Sequence, residues 1–194
     1  MISEISKRIA VGLSRSSVIA EEDIDLYTYG FFSLLSKLLF FLVTAFFGIL
    51  LKITVESILF YVLFSLLRTY AGGIHADKEW KCLCFTTIAM FLSVLGIKLL
   101  IYFKPTIISI LMLTISSIVI IMLSPLDTKE KPLTNIERKR YKKISHFIIL
   151  IYIIIIIIFF NLGFYKYYYS IMVALVLESI LLLIGIINNK TGKE

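Results

Sequence analysis

The stretch Ser145–Ile187 reads SHFIILIYIIIIIIFFNLGFYKYYYSIMVALVLESILLLIGII. Its segment 145–160 holds no formal charge and contains the unbroken isoleucine run Ile153–Ile158, and its segment 167–187 is almost as apolar. A helix that crosses a bilayer needs about 20 such residues. Between the two segments stand only Asn161-Leu162-Gly163 and, shortly after, Lys166. So short a connection predicts two antiparallel membrane spans.

The same reading extends toward the N-terminus and predicts four further spans, at about 29–51, 53–70, 82–103 and 106–124. Lys52 alone separates the first two, and Lys104-Pro105 separates the next two. The 194 residues are 59% hydrophobic, with a mean hydropathy of +0.96. Soluble domains are about 45–50% apolar, and so short a chain cannot hide the excess in a core. The expectation is one integral membrane domain over 1–194, all-α and polytopic, with six transmembrane helices.

The net charge of +7 would point to nucleic acid in a soluble protein, but here it reads as topology. Fifteen of the twenty Lys and Arg residues fall at the termini and in the two longer loops, three fall in the three short turns, and Lys37 and Lys98 lie within spans. Because cations collect on the cytoplasmic side, both termini and the longer loops are expected there. Residues of about 1–14 alternate Ile2, Ile5, Ile9 and Leu13 with Glu4, Ser6, Lys7 and Arg8. That is an amphipathic helix suited to a membrane surface or to packing on the protein itself.

Chemistry concentrates between the second and third spans, in Arg68-Thr-Tyr-Ala-Gly-Gly-Ile-His-Ala-Asp-Lys-Glu-Trp-Lys-Cys-Leu-Cys84. Gly72-Gly73 should stop the second span, since glycine tolerates the backbone geometry that ends a helix. Asp77 and Glu79 suit the start of the next helix. Cys82 then falls near a helix N-terminus, beside Lys78 and Lys81, where an anionic sulfur is favoured. His75 can take its proton; the alternative is that His75 and Trp80 anchor the loop at the headgroups while the cysteines only pack. Seven residues of unbroken helix would hold the His75 and Cys82 Cα atoms about 10.5 Å apart, so the chain must bend between them. Cys84 lies about 200° around the helix from Cys82, and the two cannot both face one histidine. Cys82 and Cys84 are too close in sequence for a disulfide or a four-ligand zinc site, and no metal or other cofactor is expected. His146 reads as an interfacial residue or as a further member of the site.

The pattern Arg68-x-x-x-Gly72-Gly73-x-His75-Ala76, with Cys82 seven residues after the histidine, resembles the AgrB family of accessory gene regulator proteins. Ser124-Pro125-Leu126 and Lys131-Pro132-Leu133 fit the same likeness, which covers essentially the whole chain. The resemblance implies a membrane cysteine endopeptidase of Gram-positive quorum sensing. It implies that the substrate is an AgrD-like precursor peptide, cut at its C-terminal tail. The remainder stays on the enzyme as a thioester until an internal Cys or Ser closes a thiolactone or lactone ring. It assigns Cys82 as nucleophile and His75 as base, and implies homodimers.

Arg68, at a span end, is a candidate for steering a substrate carboxylate or fixing the loop. Lys139, Lys142 and Lys143, in the basic loop Lys129–Lys143, are candidates for holding the acidic tail; anionic lipid is the competing partner. Lys37, Lys98 and Glu178 lie inside spans, where charge is costly. Lys37 can pair with Glu178, and Lys98 can reach the interface. A small transporter or channel using these three residues, and a membrane-anchored binding protein acting through the basic loop, are the alternative functions.

Overall fold

The computed structural model describes residues 2–73, 79–126 and 133–191, with backbone alone at 79 and 188–191. His75, and Lys129 and Lys131 of the basic loop, lie outside the described residues. The elements are α1 (Ile2–Arg15), a short 3-10 turn (Glu21–Asp23), α2 (Ile24–Leu50), α3 (Thr54–Ala71), α4 (Glu79–Phe103), α5 (Thr106–Leu123), α6 (Asn135–Asn161) and α7 (Tyr165–Thr191). Among the described residues, six helices are long and apolar enough to cross a membrane. The protein is therefore an all-α, multi-pass membrane protein.

The chain forms two compact units, Met1–Val43 and Thr44–Glu194. In the first, α1 buries Ile2, Ser6 and Ala10, a stripe four residues apart, while Ile5 and Ile9 stay exposed beside Lys7 and Arg8. A helix with exposed isoleucines next to cations matches a lipid surface.

In the second unit α7 is the hub, packing against α3, α4, α5 and α6. Two thirds of its apolar window is buried, against 11–39% for the other candidate spans. Hydropathy does not explain this, since all six are apolar. The small residues Ser170 and Ala174 do: they share one stripe with Glu178 and Leu182, and all four are fully buried. Small side chains let neighbouring backbones approach where lipid supplies no hydrophobic drive. Gly48 of α2 does the same for α3, since a Cβ there would come within 2.8 Å of Ser57.

The three tight turns each contain a residue with positive φ: Lys52 (58°), Lys104 (47°) and Gly163 (75°). Lysine in this region is disfavoured by about 1–2 kcal/mol, yet at a membrane boundary its ammonium stays hydrated. The Lys98 ammonium donates to the Leu51 carbonyl oxygen at 2.7 Å, so this intramembrane cation reaches the turn after α2.

α2 and α6 begin well before the apolar runs that announced them. α2 starts at Ile24, with Asp25 in its first turn. α6 starts at Asn135, so Arg138 to Lys143 extend a helix where a loop was expected. The cause is a capping box: the Glu137 N–H donates to the Thr134 hydroxyl at 3.3 Å, and the Thr134 N–H donates to the Glu137 carboxylate at 3.0 Å.

Candidate functional site

At the opposite end from the tight turns, α3, α5 and α6 are tied together. α3 ends at Ala71, and Gly72 caps it with φ 83°; Gly73 follows at φ 145°. Both angles favour glycine. The Leu126 N–H donates to the Ala71 carbonyl oxygen at 2.9 Å, and Gly72 and Leu126 form a single parallel bridge. Leu126 lies so close that a Cβ on Gly72 would fall on its carbonyl oxygen. The Ser124 and Ser145 hydroxyls are 3.0 Å apart. Ser145 donates its one proton to the Lys142 carbonyl oxygen at 3.0 Å, which makes Ser124 the donor to Ser145. Tyr70 meets Tyr141 edge to face, with ring centres 5.7 Å apart.

Arg68 sits one turn before the end of α3. Its Nη1 donates to the Gly72 carbonyl oxygen at 3.0 Å. The guanidinium also occupies the space that a Cβ on Gly73 would need. Arg68, Gly72 and Gly73, chosen from sequence as separate candidates, thus form one structure. Their geometry gives the glycine pair two duties, positive φ and room for the guanidinium. Nη1 also stands 3.8 Å from Glu178 Oε1 on α7. Glu178 therefore has Arg68 as its cation, a pairing across 110 positions of sequence that no local pattern announces.

The two thiols occupy different faces of α4. Cys82 is half-buried, on the side of Leu83, Thr86, Thr87 and Met90 that turns toward the bundle. Cys84 is exposed and shares an outward stripe with Trp80, Ile88 and Leu92. The Lys81 ammonium lies 5.9 Å from the centre of the Trp80 ring. Five residues that include His75 join Gly73 to Glu79. Bridged to Leu126 and filled by Arg68, the glycine pair fixes where that segment leaves α3.

His146 Nε2 is 3.1 Å from the Ile121 carbonyl oxygen. Since a carbonyl only accepts, Nε2 carries the proton, and this contact ties α6 to α5. Lys139, Lys142 and Lys143 lie exposed on the first turns of α6; Lys142 and Lys143 follow Lys139 by three and four residues and so flank it on one face. Leu126 is the residue that sequence reasoning missed as part of the site. Its signal was the Ser124-Pro125-Leu126 segment, read only as a family likeness. Among the described residues no group of three His, Cys, Asp or Glu side chains could hold a metal.

Comparison with known proteins identifies a family for the chain. The model of the family described as AgrB, Accessory gene regulator B, matches residues 6–182. AgrB-like protein 2 of Clostridium perfringens (strain 13, type A) is 28% identical over 162 residues, covering 78% of this chain and 73% of that protein. The AgrB-like protein of Clostridium perfringens strain SM101 (type A) is similar to the same degree and over the same extent. No solved structure matches the chain.

Proposed function

The chain belongs to the accessory gene regulator B family, whose members take part in accessory gene regulator peptide processing, and from this we propose that it is a membrane cysteine endopeptidase acting on an AgrD-like precursor. Cys82 is the nucleophile and His75 the base. His75 takes the thiol proton, and the sulfur attacks the scissile carbonyl. The C–N bond breaks, and the amine of the departing tail receives that proton. The retained peptide is then a thioester on Cys82. An internal thiol or hydroxyl of the peptide attacks that carbonyl, the new ring bond forms, and the Cys82 sulfur leaves and regains a proton. Thiol attack exchanges one thioester for another, so little driving force is available and water must be kept away.

The observation that carries this reading is the position of Cys82. It lies at the start of α4 on the side facing the bundle, while Cys84 faces outward. Helices and lipid together shield such a thiol from bulk water. The cation asymmetry supports a bacterial cell membrane orientation with both termini and the site in the cytoplasm. Lys139, Lys142 and Lys143 offer an exposed basic face to the acidic tail, and a homodimer is the assembly in which we expect the enzyme to work. A transport pathway finds less support, because Lys98 is bonded to the Leu51 carbonyl and Glu178 is paired with Arg68.

The test is Cys82→Ala, and separately His75→Ala, in full-length protein inserted in membranes with its precursor. Each should abolish cleavage without loss of insertion. Processing that continues in Cys82→Ala overturns the assignment.

A further inference from the structure

The first turns of α6 carry Arg138, Lys139, Arg140, Lys142 and Lys143, and helical geometry divides these cations between two faces. At about 100° per residue, Ile136, Arg140, Lys143, Phe147, Leu150 and Ile154 fall within about 40° of one line along the helix. That line points outward: Ile136 is 82% exposed and Phe147 61%, and the other four side chains are exposed as well. The opposite side buries Ser145, Ile148, Ile149, Tyr152 and Ile156. Arg138 and Lys142 lean toward that buried side, and Lys139 stands between the two.

Depth follows from length. Residues 144–161 hold no Lys, Arg, Asp or Glu, and they rise about 27 Å, close to the roughly 30 Å of a bilayer's hydrocarbon. Residues 135–143 add about 13 Å, which carries them through the headgroup layer. Lys143 thus stands at the hydrocarbon edge, Arg140 about one turn above it and Ile136 about one turn further. The capping box of Thr134 and Glu137 keeps these turns helical, so the cations stay in register with the apolar side chains below them. Lipid phosphates lie at that depth. Two cations directly above exposed Phe147 and Leu150 match a headgroup and its acyl chain together. An acidic peptide arriving from water would need the cations but not the aromatic ring beneath them.

We propose that the outward line of α6 is a binding site for an anionic phospholipid: Arg140 and Lys143 take the headgroup, and Phe147, Leu150 and Ile154 take an acyl chain. Net negative charge matters because a zwitterionic lipid brings its own cation to its phosphate. The basic turns of α6 then serve two partners. Arg140 serves the membrane, Lys142 faces away from it, and Lys143 is where a lipid and a precursor tail compete. The site does not depend on the reading of Cys82 and His75 as the reacting pair.

The experiment puts a fluorescent reporter on this face. Trp80 is the sole tryptophan, so full-length protein with Trp80→Phe and Phe147→Trp reports from position 147 alone. It is reconstituted in liposomes of phosphatidylcholine and phosphatidylglycerol, with first one lipid and then the other brominated, because bromine quenches indole fluorescence on contact. The reporter is expected to favour phosphatidylglycerol by roughly 20-fold, about 5-fold for each cation near the surface. Adding Arg140→Gln and Lys143→Gln should bring that ratio close to 1, and Lys142→Gln should leave it at the starting value. Free glycerol phosphate should leave the quenching unchanged, since it lacks the chain. If Phe147→Trp does not insert, Leu150→Trp reads the same face. Equal quenching by the two lipids in the reporter protein overturns the proposal, as does a preference that survives the double substitution. If Arg140→Gln weakens binding of an acidic-tailed precursor and leaves the lipid preference intact, the face belongs to peptide and the proposal fails. The readout is lipid contact, so its failure leaves the assignment of Cys82 untouched.

Discussion

The Leu126 N–H donates to the Ala71 carbonyl oxygen at 2.9 Å, so the segment that follows α5 caps the last turn of α3. A helix end inside a membrane protein needs partners for its final carbonyls, and here one comes from 55 residues downstream. The missing side chain of Gly72 makes the approach possible.

Gly72→Ala tests this contact. The new Cβ would collide with the Leu126 carbonyl oxygen, and φ at this position is 83°. We expect a loss of about 1–3 kcal/mol in stability, the usual range for strain of this kind, and a fall in precursor cleavage. Thermal unfolding in detergent and a cleavage assay check both. An alanine variant as stable and as active as the parent would show that the bridge contributes nothing.

Cys84→Ser is expected to cleave its precursor at the parent rate. Its thiol belongs to the outward stripe of α4 with Trp80 and Ile88, away from the bundle. A dead Cys84→Ser enzyme that still inserts would move the nucleophile from Cys82 to Cys84.

Reversing charge at Lys139, Lys142 and Lys143 should weaken binding of an acidic-tailed precursor, most strongly at low salt. These side chains are exposed, and at 0.1 M salt charges beyond about 10 Å are largely screened. Titration of labelled precursor at two ionic strengths reads the effect. Affinity that ignores both salt and charge would leave these lysines with lipid alone.

Thr134→Ala removes one half of the capping box at the start of α6. The expected cost is about 1 kcal/mol, felt locally, with faster amide hydrogen exchange over residues 136–138 and little change within the membrane. Unchanged exchange there would mean that the basic turns are held by something other than their cap.

Much of the architecture was legible because lipid imposes a simple rule: an apolar run of sufficient length becomes a helix. The isoleucine run Ile153–Ile158 could hardly mean anything else. The family likeness was legible because it sits in a compact pattern from Arg68 to Cys82. The different exposure of Cys82 and Cys84 follows from helical angle alone. The central place of α7 was hidden, since hydropathy ranks spans by apolarity and not by neighbours. Small residues at Ser170 and Ala174 were the available clue. The pairing of Arg68 with Glu178 was equally hidden, because a charge within a span announces the need for a partner without naming it. The helical start of α6 was visible in Thr134-Asn-Ile-Glu137, but the density of cations after it suggested a loop.

The burial of α7 has a consequence for how the protein is made. A ribosome releases α3, α4, α5 and α6 before the helix that all four pack against has been synthesised. During that interval these helices sit in the bilayer with their shared seam filled by lipid, or held by the insertion machinery, and Arg68 waits without its carboxylate. Assembly of the second unit therefore waits until α7 has been synthesised. A nascent chain stalled before Tyr165 would be threaded through the membrane and still lack the helix on which α3, α4, α5 and α6 converge.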